Sequence, residues 1–210
     1  MTLDTCRKSE YLEIQKEIYD LSLDVLNNEE IEQAEEISNN LVSTKARKEK
    51  ARMALRKKIG VKPSRPLFYA NLELKSLPRY TRSGIRYVGD YLDHLVKFWA
   101  SEINGKTFLT KSLGINLKNM RNKIDEILRL NLIKYNNLCY VPAKHDFNVK
   151  NRKRRFTSKE AVYIVFMTMK LAKIIISKSK KASQYSNSEI DDDWATMKYN
   201  AENKDILVED

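Results

Sequence analysis

Residues 157–176 constrain the fold more than any other stretch. Thr157-Ser158-Lys159-Glu160 places a hydroxyl N-cap three residues before a glutamate, the reciprocal arrangement that satisfies two backbone amides at a helix start. Val162, Val165, Phe166, Met169, Leu171, Ala172, Ile175 and Ile176 then form a wide apolar stripe. A helix with such a stripe needs neighbours around most of its girth, so the spacing predicts the central helix of a bundle. Tyr163, Thr168, Lys170 and Lys173 interrupt the run, leaving it too polar and too short to span a membrane.

The rest of the chain reads as helix too. Five Gly and four Pro in 210 residues favour long helices over turn-rich β structure. Tyr11, Ile14, Ile18, Leu21 and Val25 recur at spacings of three and four, and Asn27-Asn28 closes that helix. A second segment carries Ile31, Ala34, Ile37, Leu41, Val42, Ala51, Ala54 and Leu55, acidic in its first half and basic in its second. Folded back, the two make a charged hairpin over residues 1–60. Gly60, Pro63 and Pro66 then open a linker over 61–79. A body follows over 80–180, beginning with the stripe Ile85, Val88, Leu92, Leu95, Val96, Phe98 and Trp99 and closed by Asn104-Gly105. Asp93 and Lys97, four apart, are placed to form an ion pair. A further helix is expected from about Asn116 to Ile133, with Met120, Ile124, Ile127, Leu128, Leu130 and Leu132 facing inward. An acidic tail occupies 181–210. The expected fold class is all-α, a helical bundle with an N-terminal charged hairpin.

Charge is unevenly spread. The net +11 divides into −8 over residues 1–40, +8 over 41–62, +7 over 63–143, +10 over 144–181 and −6 over 182–210. A basic body with acidic ends suits a polyanionic partner, with RNA favoured and DNA the alternative. The hairpin could also pair with a partner protein or a second copy of the chain. Cys6 and Cys139 are too few for a disulfide framework or a zinc site, and no apolar leader precedes the charged residues that start at Asp4. A cytoplasmic location without membrane contact is expected. No phosphate-binding glycine loop, metal-ligand cluster or nucleophile elbow occurs, so no cofactor or metal is expected.

If the chain does chemistry, residues 135–147 are the place for it. His145 is one of two histidines and titrates near neutral pH, which suits a general acid or base. Lys144 would stabilise charge on a phosphate under attack, and Asn136 would orient the reacting hydroxyl. Arg152, Lys153, Arg154 and Arg155 would hold the nucleic-acid backbone through salt-sensitive contacts. The plain alternative is a loop histidine bonded to backbone. The other histidine, His94, reads as an ordinary helix-surface residue.

The order of these features resembles the HEPN superfamily of small helical bundles, across roughly residues 80–178. The resemblance rests on Asp90-Tyr91-Leu92-Asp93 on one helix, Ser112-Leu113-Gly114 in a connection, Ile124, Ile127 and Leu128 on a second helix, and an asparagine turn leading to His145. Thr157-Ser158-Lys159-Glu160-Ala161 then opens the last helix. Many members are metal-independent ribonucleases of bacterial defence systems, so the resemblance implies an RNA-directed protein, either an endoribonuclease or a non-catalytic relative. Asn136 matches the polar residue of the family's motif and His145 its histidine. The motif arginine has no counterpart, since Lys134 and Tyr135 precede Asn136, and the spacing to His145 is longer than the family's. Residues 108–142 also resemble a winged helix-turn-helix DNA binder. Its recognition helix would run from Asn116 to Leu130 with Lys118, Asn119, Arg121, Asn122 and Lys123 near its start, and Ile133 to Val141 would form the wing.

Overall fold

The computed structural model describes residues 3–41, 81–144 and 156–186, together with isolated positions 47, 50, 51, 54, 55 and 66. Over these residues the protein is an all-α bundle. Helices α1 (Leu3–Val25) and α2 (Asn28–Leu41) precede α3 (Thr81–Asn104). A 3-10 turn (Lys106–Thr110) and α4 (Leu113–Asn119) lead into α5 (Glu126–Tyr135). A π-helical turn (Asn136–Tyr140) joins α5 to α6 (Val141–Lys144), and α7 (Ser158–Lys178) comes last, followed by a helical segment over 180–186.

Helix α7 is the hub, as its stripe predicts, with α1, α2 and α3 all packed against it. Ala161, Val162, Ile164, Val165, Met167, Leu171, Ala172 and Ile175 are all essentially inaccessible to solvent. The capping box forms as read. The Thr157 hydroxyl accepts from the Glu160 amide at 3.1 Å, and Glu160 Oε2 accepts from the Thr157 amide at 2.6 Å. Thr157→Ala should therefore cost about 1 kcal/mol in urea unfolding, whereas an uncapped helix start would give no change.

A second box opens α2: Asn27 Oδ1 accepts from the Glu30 amide at 2.8 Å and Glu30 Oε2 from the Asn27 amide at 3.0 Å. The same glutamate takes both of its oxygens to Lys170 on α7, at 3.1 Å each. Asp24 at the end of α1 pairs with Lys134 on α5 at 3.0 Å. The acidic head is thus answered by cations of the body. The expected pairing with the hairpin's own basic half lies outside the described residues, as does the linker except for Pro66. The inward stripes of α1 and α2, including Ile18, Leu21, Ala34, Ile37 and Leu41, belong to the same core as α3 and α7. Of the basic half, Ala51 and Leu55 are buried in that core as well.

Two expectations for the stretch after α3 need correction. The single helix from Asn116 to Ile133 is broken by a turn over 120–124, in which Asn122 takes a left-handed φ of 62°. Asparagine tolerates that conformation better than most residues. The break resets the helical phase. Met120, Leu128 and Leu132 stay inward, but Ile127 is 72% and Leu130 45% exposed. The wing is also absent: Ile133 to Val141 lies in α5, the π turn and the start of α6, with no hairpin. Among the described residues no helix is long and apolar enough to cross a membrane.

Candidate functional site

Pro142 lies inside the helical stretch 126–144 rather than ending it. A proline ring clashes with the carbonyl four residues back and leaves no amide to bond it. The π turn immediately before it widens the helix and moves hydrogen bonding to the fifth residue, with the Val141 amide donating to the Asn136 carbonyl. In such a turn, residues five apart stack on one face. Tyr135 and Tyr140 consequently both point into the core, at 0% and 3% exposure.

Each buried phenol finds a different partner. Tyr135 meets Thr168 Oγ1 of α7 at 2.6 Å, and because Thr168 spends its proton on the Ile164 carbonyl, Tyr135 is the donor. Tyr140 packs closely against α3 at Gly89. A methyl group on Gly89 would sit 2.2 Å from Tyr140 Cδ2, so only glycine permits this approach. The Tyr140 hydroxyl donates to Asp90 Oδ1 at 2.6 Å, lies 3.2 Å from Asp93 Oδ2, and accepts from Lys144 Nζ at 2.5 Å. Lys144 Nζ stands 3.6 Å from Asp90 and 3.7 Å from Asp93, and Lys97 pairs with Asp93 at 3.0 Å. Burial first, then the hydrogen bond to Asp90 and the charge of Asp93, push the Tyr140 phenol far above its ordinary range. It is a neutral donor. A phenol so hard to ionise is neither nucleophile nor base, and the cluster clamps α6 onto α3.

This geometry bears directly on the sequence-derived site. Lys144 is committed to two carboxylates on α3 and to the Tyr140 phenol of the π turn. Asn136 is 9% exposed, donates to Asn137 Oδ1 at 3.0 Å, and faces Gly114 of α4. Eight residues of helix, roughly 12 Å of rise, separate the two, and they face different neighbours. His145 and Arg152, Lys153, Arg154 and Arg155 lie outside the described residues. His94 packs against the Tyr185 ring at 5.6 Å. The predicted Asp93–Lys97 pair forms, but Asp93 is only 3% exposed rather than on the surface.

No protein-family model, curated protein or solved structure matches the chain.

A second group of side chains has the character of a binding surface. Lys106, Lys111, Lys118, Arg121 and Lys123 are all exposed, and residues 103–124 contain no carboxylate. Gly105, at φ 103°, starts this connection by turning the chain sharply out of α3. The 3-10 turn and α4 both pack on α3, and Asn116 holds them together by donating to the Phe108 carbonyl at 3.2 Å. Lys123 reaches back to Asn104 Oδ1. The acids that flank the stretch are engaged elsewhere: Glu102 accepts from the Ser179 hydroxyl at 2.7 Å, Asp125 accepts from the Leu128 amide at 2.8 Å, and Glu126 is held by both ends of the Arg129 guanidinium at 2.7 and 2.6 Å. Among the described residues, none of the five cations makes an ion pair. From sequence, Lys118, Arg121 and Lys123 stand out only as part of a recognition helix. The feature all five cations share is the absence of acids over residues 103–124, a signal that does not depend on that helix. Among the described residues, no group of His, Cys, Asp and Glu is placed to hold a metal ion.

Proposed function

We propose that this protein is an RNA-directed, HEPN-like helical bundle that binds the phosphate backbone without cutting it. The carrying observation is the exposed, acid-free set Lys106, Lys111, Lys118, Arg121 and Lys123. Unpaired surface cations gain most from releasing the counterions condensed on a nucleic acid, because no protein salt bridge has to break when phosphate arrives. The net charge of +11 supports the same reading through long-range attraction. The placement of Lys144 and Asn136 supports a non-cleaving mode. One is paired with Asp90 and Asp93 and the other is nearly buried against α4. Duplex DNA fits less well, since the recognition helix is split at residues 120–124 and its wing is helical.

Fluorescence anisotropy with a labelled single-stranded RNA, titrated with KCl, tests this. Affinity should fall steeply with salt, and Lys106→Ala/Lys111→Ala/Lys118→Ala should reduce the logarithmic salt slope by about 2, at roughly 0.7 for each phosphate no longer neutralised. The RNA should remain full length, and His145→Ala should bind as the wild type does. RNA that stays unbound at low salt would remove the reading, as would cleavage that depends on His145.

A further inference from the structure

A hollow of about 290 Å3 opens between the end of α1, the first turns of α5 and the last turns of α7. Its walls are aliphatic, with Val25, Ile127, Leu171 and Ile174 from the three helices. An apolar cavity of about 150 Å3 holds one benzene, so this one has room for about two branched side chains. Ile127 is 72% exposed, and Leu130, one turn further along α5, is 45% exposed beside it. Asn131 also lines the hollow. It is 8% exposed, and its carboxamide makes no hydrogen bond among the described residues. Two donors and an acceptor thus stand in an apolar wall, an arrangement that is costly until a partner arrives.

The form of that partner is constrained. A helix satisfies its own backbone groups, so a second copy docking through its helices would leave the Asn131 amide unmet. An extended segment keeps N–H and C=O groups free and turns alternate side chains to one side. The chain carries such a segment. Residues 206–208, Ile-Leu-Val, are the one run of three aliphatic residues beyond Ser186, where the described residues end. In extended form Lys204, Ile206, Val208 and Asp210 would share a side, a cation and an anion bracketing two branched side chains. The edge of the hollow offers the complement. Asp24 bonds Lys134 through Oδ2 and keeps Oδ1 for a second cation, while Lys178 is exposed and forms no ion pair among the described residues. Ser186 is fixed to α3, its hydroxyl 2.9 Å from that of Tyr91. The 19 residues 187–205 can span up to about 60 Å. That exceeds the length of α3, whose 24 residues rise about 36 Å.

We propose that residues 206–208 of the same chain dock in this hollow in extended form, Ile206 and Val208 inward and the backbone bonded to Asn131. The inference stands apart from RNA binding.

Disulfide trapping in the full-length chain tests it, on a Cys6→Ser background, since Cys139 is buried. Leu207→Cys, on the side turned away from the hollow, is paired with Leu130→Cys beside the hollow or with Ile115→Cys on α4 as the control. Positions 130 and 115 are alike in exposure, at 45% and 48%. The tether alone raises the collision rate of both pairs, so docking has to show as a difference between them. The 130–207 bridge should form within the chain about tenfold faster than the 115–207 bridge, given two aliphatic side chains buried. Adding Ile206→Asp, a change beyond residue 186, should bring it down to the control rate. Asn131→Leu, which keeps the apolar volume and removes the amide, should slow it about threefold. Equal rates for the two pairs would overturn the proposal, as would a 130–207 rate indifferent to Ile206→Asp. A bridge that forms only between chains would give the hollow to a second copy and overturn it too.

Discussion

Gly89→Ala will destabilise the protein by about 3 kcal/mol, although alanine is the better helix former by about 1 kcal/mol. The reason is the 2.2 Å approach between the new methyl group and Tyr140 Cδ2. An aromatic ring cannot bend out of the way, and this one is tethered at its far end by Asp90, Asp93 and Lys144. Overpacking alone costs roughly 1–3 kcal/mol. Pushing the hydroxyl off its partners also weakens the clamp around Asp93, a carboxylate only 3% exposed, and adds to the cost. Urea denaturation should show the midpoint falling by about 1–2 M with an unchanged slope. Tyr140→Ala opens the space that Gly89→Ala needs, so the two together should cost little more than Tyr140→Ala alone. That coupling of about 1 kcal/mol or more is expected only for residues in direct contact. A neutral Gly89→Ala would mean that the ring does not rest on α3.

The contrast between what the sequence reveals and what it hides follows from range. The Thr157–Glu160 box, the helix break at Asn27-Asn28 and the stripes of α1, α2, α3 and α7 depend on residues within a few turns of one another, and those features are legible. The clamp on α6 is not, because Tyr140 lies 50 residues from Asp90 and 47 from Asp93. Asp90 and Asp93 are visible as charges on an apolar helix, but nothing local says that a phenol and a lysine will come to meet them. Pro142 is hard to read for a different reason. Proline normally stops a helix, yet a π turn just ahead of it removes the conflict, and such a turn has little sequence signature of its own. Ile127 and Leu130 face inward only if the periodicity is extended across Asn122, where the backbone changes hand and the phase starts afresh. The cation set over 103–124 is half visible, as part of a helix that does not exist in that length. Its acid-free composition suffices without any helix.

Alkaline solution should unfold this protein through its buried tyrosines, and with a steepness that can be assigned to residues. Burial raises the Tyr135 phenol far above its ordinary value, reinforced by nearby Cys139 and offset in part by the bond to Thr168. Tyr140 is raised further by burial and by Asp90 and Asp93. In the folded state both remain protonated at a pH where the unfolded chain, with phenols near pH 10, has released them. The folded state then binds more protons than the unfolded one, so stability falls as pH rises. Below about pH 10 this contribution is fully present. Above it, each of the two phenols removes about 1.4 kcal/mol per pH unit, or about 2.8 kcal/mol together. Tyr91, raised mainly by its burial, and Tyr163, raised by burial and by Glu35, act in the same direction. Against a typical stability of about 5–15 kcal/mol, one to two pH units of such decline should be decisive. Urea unfolding followed by circular dichroism between roughly pH 9 and 11 gives the slope. Tyr135→Phe and Tyr140→Phe should each lower it by about one proton, even though each variant starts from a less stable protein. Tyrosinate absorbance offers an independent check: these phenols should ionise together with unfolding, not before it. A phenol that titrated near pH 10 in the still-folded protein would be solvated, and the α5–π–α6 stretch would then not bury its tyrosines against α3 and α7.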